Sequence, residues 1–368
     1  MVTRYADVAD FFRNRALSAD RAAADKYQGA RSTIPMRTLG SEPPTHTAVR
    51  TAITASLYPL IPALLPTVEG LVADMVDRIE ASIDRFIDDA ALSSGTQHGT
   101  IDLIDRLAYP LPITVIADLF GVPEADRGRF RAWSYDMARS MDRFYARDRG
   151  GSQAEFSAYF GAMVAARRTE PGNDLVSRIL RAELRAEPLT DEEVVTLCTT
   201  LIFAGHETTT NLIGNGMLAL LADRTQYERL AEEPEELVET AVEEFLRFDS
   251  PAQMISRTVA EPTELGGVEL TPGETVLGVI GSANRDEAEF GPGADRLDVG
   301  RKPNYHLAFG LGHHFCPGAK LSRLEARVAI PVLLRRLPGL RLAGDEPPAY
   351  RPTAVLRGLE RLPVRVAG

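Results

Sequence analysis

Lysine is nearly missing from this chain. It stands only at positions 26, 302 and 320, so arginine carries almost all of the positive charge. Acidic residues outnumber basic ones, 52 to 41, and the formal net charge is −11. The chain therefore lacks the basic field that meets phosphates, which speaks against a nucleic-acid binder. Cysteine is scarcer still. The thiols at 198 and 316 cannot build a disulfide framework, and the opening MVTRYADVAD has no apolar h-region, so a reducing cytoplasm is expected. No apolar run approaches bilayer length, so no membrane partner is expected. Repeats, linker tracts and low-complexity runs are also missing. The remaining composition, 44% hydrophobic and 25% charged over 368 residues, is that of a globular protein at a length where single cores begin to split.

Read in order, the chain is mainly helical. VTRY reads as a short strand and ADVADFFRNRA as an amphipathic helix, while residues 22–39 show no period. In SEPPTHTAVRTAITASLYP the prolines at 43 and 44 set up a helix, on which His46 and Arg50 share a face. A long helix is expected near 69–90, with Leu71, Met75, Ile79, Ile83 and Phe86 as its core stripe. LIDRLAYPLPITVIADLF follows, stopped by Gly121 and Pro123. A mixture of aromatics and arginines fills 133–149 up to Gly150 and Gly151, and two further helical pieces flank Pro171-Gly172.

TDEE, from Thr190 to Glu193, forms a capping box, and a helical pattern runs from it to about Leu221. This segment is long and apolar, so it should cross the middle of the molecule. It nevertheless carries Gly205, Gly214, Gly216 and a run of threonines, all weak helix formers. Such local conflicts gather at functional sites. VETAVEEFLRF gives another helix, with Glu244 and Arg247 at i and i+3. After Pro251, Gly266-Gly267 and Pro272-Gly273 punctuate short strands. GPGADRLDVGRKPNY reads as coil and PTAVLRGLERLPVRV as a last strand-rich piece. β-rich portions are thus expected near 1–10, 252–282 and 350–368.

Ten residues concentrate unusual chemistry: FGLGHHFCPG, from Phe309 to Gly318. Gly310, Gly312 and Gly318 bracket Cys316, and glycine serves where backbone must take positive φ or approach something closely. Pro317 then opens a helical pattern. Because proline suits the first helical position, Cys316 is expected at or beside the N-cap, where unbonded amides favour a thiolate. Pro317 has no N–H, so Gly318 and Ala319 are the nearest donors. Taken alone, a buried structural cysteine beside a turn explains the same residues. A zinc cluster of His306, His313, His314 and Cys316 is a further reading, opposed by the adjacency of two histidines and the lack of a second nearby cysteine.

Three motifs together resemble a known family. Phe309, Gly312, Cys316 and Gly318 are similar to the haem-binding loop of the cytochrome P450 monooxygenases. AGHETT, from Ala204 to Thr209, resembles their oxygen-binding groove, and EFLR, from Glu244 to Arg247, their Glu-x-x-Arg pair. The motifs stand in the family's order. HTAVR, FDSPAQ and ANRDEAEF look like its soluble bacterial branch, and the resemblance runs from about Val2 to the C-terminus. It implies a mainly α fold with a smaller β part, a single domain over 1–368 with a long central helix over a buried haem. The family's N-terminal helix and first strand are expected to be absent.

The resemblance also implies roles. Cys316 would be the axial thiolate to the iron of haem b, a ligand that pushes electron density onto iron and favours O–O cleavage. Glu207 and Thr208 would deliver protons to O2 bound beside Ala204, with Gly205 leaving room close to the backbone. His46, Arg50, Arg257 and His314 fall to the haem propionates, and Phe309 and Gly318 frame the loop. Glu244 and Arg247 would brace the preceding coil, with Arg296 as third member. His206 is expected to point away from the haem, and Cys198 to be core. Substrate would lie against Ala252, Met254, Ile255 and Leu356, along the loop after Ala22 and near 133–149. The implied reaction inserts one oxygen atom into an organic molecule, by hydroxylation or epoxidation, in tailoring a polyketide or terpenoid. Electrons would come from NAD(P)H through ferredoxin reductase and a ferredoxin docked at Lys320, Arg323 and Arg327, on a monomer. The contrasting reading is a non-catalytic haem sensor or carrier, which has no use for an acid and an alcohol at 207 and 208.

Overall fold

The structure, a computed structural model, describes residues 1–20, 38–92, 100–130, 132–133, 152–182, 188–344 and 346–366, with backbone alone for 84–92 and 152–153. The helices in chain order are α1 Tyr5–Arg13, α2 Thr45–Leu57, α3 Ile61–Leu92, α4 Pro110–Phe120, α5 Ser152–Thr169 and α6 Leu175–Arg181. They continue with α7 Asp191–Ala222, α8 Arg224–Glu232, α9 Pro234–Phe248, α10 Ile280–Ala283, α11 Glu287–Phe290 and α12 Ala319–Arg336. The strands are β1 Leu17–Ser18, β2 Ile101–Asp102, β3 Met254–Val259, β4 Thr263–Leu265, β5 Val268–Leu270, β6 Thr275–Val279, β7 Leu340–Leu342 and β8 Pro363–Val366.

α7 is the axis. Its 32 residues span about 48 Å at 1.5 Å per residue. The capping box forms at its start: the Glu193 amide donates to Thr190 Oγ1 at 3.2 Å, and the Thr190 amide to Glu193 Oε2 at 2.9 Å. α4, α5, α9 and α12 pack around it and enclose one large apolar core. The α7 glycines sit at these crossings. A Cβ on Gly205 would meet Ile116 of α4 at 2.5 Å, one on Gly214 would meet Ile104 at 2.6 Å, and one on Gly216 would meet Phe245 of α9 at 2.7 Å. The weak helix formers are therefore largely explained by close packing, and the room at Gly205 is taken by Ile116, not held for a ligand.

A smaller core joins α1 to the sheet β1-β3-β6 through Phe11, Phe12, Val259 and Val276. Among the described residues the strands pair antiparallel; in β3 and β6 the register runs from Met254↔Val279 to Thr258↔Thr275. A second sheet, β2-β8-β7, ties Ile101 to Val364 and Leu340 to Val366. β4 and β5 form a hairpin whose Gly266 and Gly267 take φ of 60° and 82°, the conformation a two-residue turn requires.

Four expectations are corrected. Near the N-terminus the backbone is helical, and VTRY contributes only the isolated bridge Val2↔Gly278. At the C-terminal end only Pro363–Val366 is a strand; the segment before it holds the single bridges Ala252↔Leu356 and Tyr350↔Leu359. α3 begins at Ile61 with Pro66 inside it, and its fully enclosed stripe is Val68, Val72, Val76 and Ile79. Leu71, Met75 and Ile83 pack on that core from the flank, and the side chain of Phe86 lies outside the described residues, as do 22–37 and 134–151. The fourth is the cysteine. α12 starts at Ala319 with Gly318 as N-cap, which puts Cys316 two residues before the cap. Among the described residues no single helix is long and apolar enough to cross a membrane.

Candidate active site

The cysteine loop is wound by its glycines. Gly310 and Gly312 take φ of 69° and 71°, values costly for any other residue. The turn brings the Cys316 amide to the Phe309 carbonyl at 2.9 Å, and the Phe315 amide to that of Gly312 at 3.1 Å. Burial pushes the Cys316 thiol up. The amide of Gly318, the Arg50 guanidinium and the amide of Ala319 pull it the other way. The two amides are the ones left by Pro317's missing donor. Cys316 is only half-buried, whereas Cys198 is enclosed in the core and its thiol is pushed far up. Arg323 lies over the Phe309 ring at 4.6 Å, so a cation on α12 also braces the loop.

Beside the loop, imidazoles and guanidiniums gather. His46 is 1% exposed, yet both its ring nitrogens lack a hydrogen-bond partner. Its ring lies 4.2 Å from that of His314 and 5.5 Å from that of His313. Burial, helped by the histidines and Arg50, lowers its pKa to about 4 and keeps it neutral. His314 Nε2 is likewise buried with no hydrogen bond, the Glu42 carboxylate lying 3.9 Å away. Arg50 donates to the Phe315 carbonyl, fastening α2 to the loop. Arg257 is buried and gives Nη1 to the carbonyls of Phe11 and Phe12 at 3.0 and 3.1 Å, with Nε unpartnered. Glu42 closes the group. Burial alone would raise its carboxyl, but the His314 imidazole, the Ala19 amide and the Ser18 hydroxyl outweigh that and hold it at about 2. Among the described residues Glu42, His313 and His314 are the one cluster with metal-ligand spacing. The four zinc candidates do not assemble, because His306 bonds Glu243 at 3.0 Å.

On α7, Ala204 is exposed within an otherwise enclosed stretch, and Gly205 and Thr208 are half-buried. Thr208 Oγ1 donates to the Ala204 carbonyl at 2.6 Å, the bond to i−4 that a helical threonine can make. Glu207 is 3% exposed; Oε1 accepts from Arg351, and Oε2 is buried and unpartnered. His206 turns into the core and meets Tyr109 edge-on at 4.7 Å. Ala252 and Leu356 are brought together as a bridge, Met254 is half-buried, and Ile255 is 42% exposed on β3.

The brace is fully enclosed. Arg247 and Glu244 are 0% exposed and pair at 2.7 and 2.8 Å. The remaining donors of Arg247 reach the carbonyls of Asn284, Ala294 and Arg296. The third side chain is Arg301, 3.1 Å from Glu244. Arg296 gives only its carbonyl, and its side chain is exposed. Asn304 and the Asp298 amide complete the shell around Glu244.

A group that uses both the thiol and the cradle must carry a soft metal at its centre and anions at its rim. Haem does both, and the enclosed, unpartnered nitrogens of His46 and His314 suit a carboxylate. The fold and the donor set therefore define a haem-thiolate protein. Comparison with known proteins gives the family directly: the chain belongs to the cytochrome P450 family, whose profile, described as Cytochrome P450, matches residues 38–357. It is 39% identical over 371 residues to the vitamin D(3) 25-hydroxylase of Pseudonocardia autotrophica, covering 99% of this chain and 87% of that protein. The solved cytochrome P450 PksS of the Bacillus subtilis 168 bacillaene polyketide synthase superposes with a TM-score of 0.86 at 32% identity, over 100% of this chain and 90% of that one. P450BioI, solved in complex with hexadec-9Z-enoic acid ligated acyl carrier protein, superposes with a TM-score of 0.85 at 34% identity, over 100% and 91%. The chain is thus a haem-thiolate monooxygenase, with iron held by a cysteine thiolate and O2 as co-substrate.

Sequence reasoning missed Glu42, Arg301 and Arg351. Each sits in a segment without period, where no spacing rule points to a partner.

Proposed function

We propose that this monooxygenase hydroxylates or epoxidises a bulky, largely apolar secondary metabolite of polyketide or terpenoid type. The observation that carries the reading is the character of Ala204 and of the side chains expected to meet substrate. The exposed alanine, the exposed Ile255 and the paired Ala252 and Leu356 offer small and apolar contacts, with no fixed charge among them to demand an ionic substrate. The polyketide name of one relative and the hydroxylase name of another support the same class.

Bound haem supplies the oxygen-activating iron, with Cys316 as its ligand. His46, Arg50 and His314 would hold its carboxylates, with Arg257 completing the positive rim. Glu207 and Thr208 would move protons: the acid takes one from solvent, and the hydroxyl, already aligned on the Ala204 carbonyl, passes it on. Electrons would arrive from NAD(P)H through a reductase and a ferredoxin on the cysteine side. Of the cations expected there, Arg323 is held by Glu243 at 2.7 Å and Arg327 by Glu239 at 3.0 Å. Lys320 is exposed over the Tyr58 ring. Docking would therefore rest on Lys320 and shape more than on a free basic patch. Titrating the ferric protein with macrolides, terpenoids and fatty acids tests the substrate reading. Spin-state shifts with the first two classes are expected; a response to fatty acids alone would contradict it.

A further inference from the structure

The acid next to the brace faces another way. Successive helix residues point about 100° apart, so Glu243 on α9 turns from the coil held by Glu244 toward α12 and the cysteine loop. There it takes the fork of Arg323, Nε to Oε1 and Nη2 to Oε2, each at 2.7 Å. Oε2 also lies 3.0 Å from His306 Nε2. The Ala308 amide donates to His306 Nδ1 at 3.2 Å. An amide N–H can only donate, so the neutral ring keeps its proton on Nε2 and gives it to Glu243. Burial alone would raise the Glu243 carboxyl, but the Arg323 and His306 hydrogen bonds outweigh that and hold it at about 2. Both arms of Glu243 end at Phe309. Arg323 lies over the Phe309 ring at 4.6 Å, the His306 ring is 5.9 Å from it, and the amide that His306 accepts belongs to the residue before it. The Phe309 carbonyl in turn receives the Cys316 amide at 2.9 Å. Arg323 also stands near the start of α12, where the Gly318 and Ala319 amides oppose the rise that burial gives the Cys316 thiol. One carboxylate therefore holds the chain on both sides of the cysteine. Arg327, one turn farther from the loop, pairs with Glu239 at 3.0 Å and approaches Glu243 only to 3.6 Å.

We propose that Glu243 is a positioning residue for the thiolate: through Arg323 and His306 it fixes Phe309 and the start of α12, and so the hold of the loop amides on the Cys316 sulfur. Without Glu243, Phe309 and the first turn of α12 lose their common anchor. The Gly318 and Ala319 amides then serve the sulfur less well, and the sulfur gives more electron density to iron. The proposal rests on Cys316 being the iron ligand.

The test uses the haem-loaded enzyme, without ferredoxin, and the variants Glu243→Ala, Arg323→Met, their combination and Arg327→Met. Two quantities are read: the ferric/ferrous midpoint potential, and the rate in urea at which the reduced carbon-monoxide complex passes from its thiolate band to that of the protonated thiol. Loss of charge alone would move the midpoint up in Glu243→Ala and down in Arg323→Met. The positioning role instead lowers it in both and quickens the passage several-fold. The double variant should go no further than the larger single one, because the two residues act as a unit. Arg327→Met, which loosens α9 from α12 away from the loop, should match the wild type in both readouts. Glu243→Gln keeps one acceptor oxygen, should shift the same way by less, and replaces Glu243→Ala if that variant does not load haem. Opposite midpoint shifts in the two single variants, or an Arg327→Met as displaced as Glu243→Ala, would overturn the proposal. A wild-type protein without a thiolate band would overturn the reading of Cys316 instead, a different failure.

Discussion

Cys316 and Thr208 depend on backbone more than on charged neighbours. The thiol is served by two amides because a proline supplies none, and the hydroxyl is aligned by a carbonyl one turn back. Thr208→Ala should leave haem binding intact and send most electrons to peroxide instead of product; product formed at wild-type coupling would mean the hydroxyl moves no proton. Glu325 shows the opposite economy. It is enclosed on α12, and burial pushes its carboxyl well above the ordinary 4.5. A raised folded-state value means the unfolded chain ionises first, so stability falls as pH rises above 4.5. Glu325→Gln removes that penalty. It should raise the thermal midpoint more at pH 8 than at pH 4, and an equal effect at both would contradict the burial argument.

Among the elements, the brace is where the sequence was half legible. Glu244 and Arg247 are a recognisable pair because an i,i+3 spacing on a helix puts them together whatever the rest of the chain does. Their third partner comes from coil, where spacing carries no information, and the nearer arginine at 296 contributes only a carbonyl. The difference is measurable. Removing one partner of a buried ion pair costs about 3–5 kcal/mol, whereas an exposed side chain away from such features stays within about 0.5 kcal/mol. Arg247→Ala should therefore fall in the first range, Arg301→Ala between the two, and Arg296→Ala in the second. Denaturant unfolding of the haem-loaded proteins decides; a large loss from Arg296→Ala would restore the first assignment. The glycines of α7 teach the complementary lesson. Their conflict with a helix is visible in the sequence, but only the packing reveals that Ile116, Ile104 and Phe245 occupy the space.

At the scale of the molecule, one helix organises both halves of the chemistry. α7 presents Ala204, Glu207 and Thr208, packs against α12 below the cysteine loop, and is buttressed by α9, whose Glu244 and Arg247 hold the coil that leads into that loop. α2 closes the arrangement by fastening Arg50 to Phe315. All of this converges on Cys316, which we propose as the ligand of haem iron. The most direct measurement is the absorption spectrum of the reduced protein under carbon monoxide. A strongly red-shifted Soret band, lost in Cys316→His, is the predicted result. A band like that of histidine-ligated globins in the wild-type protein would contradict the account.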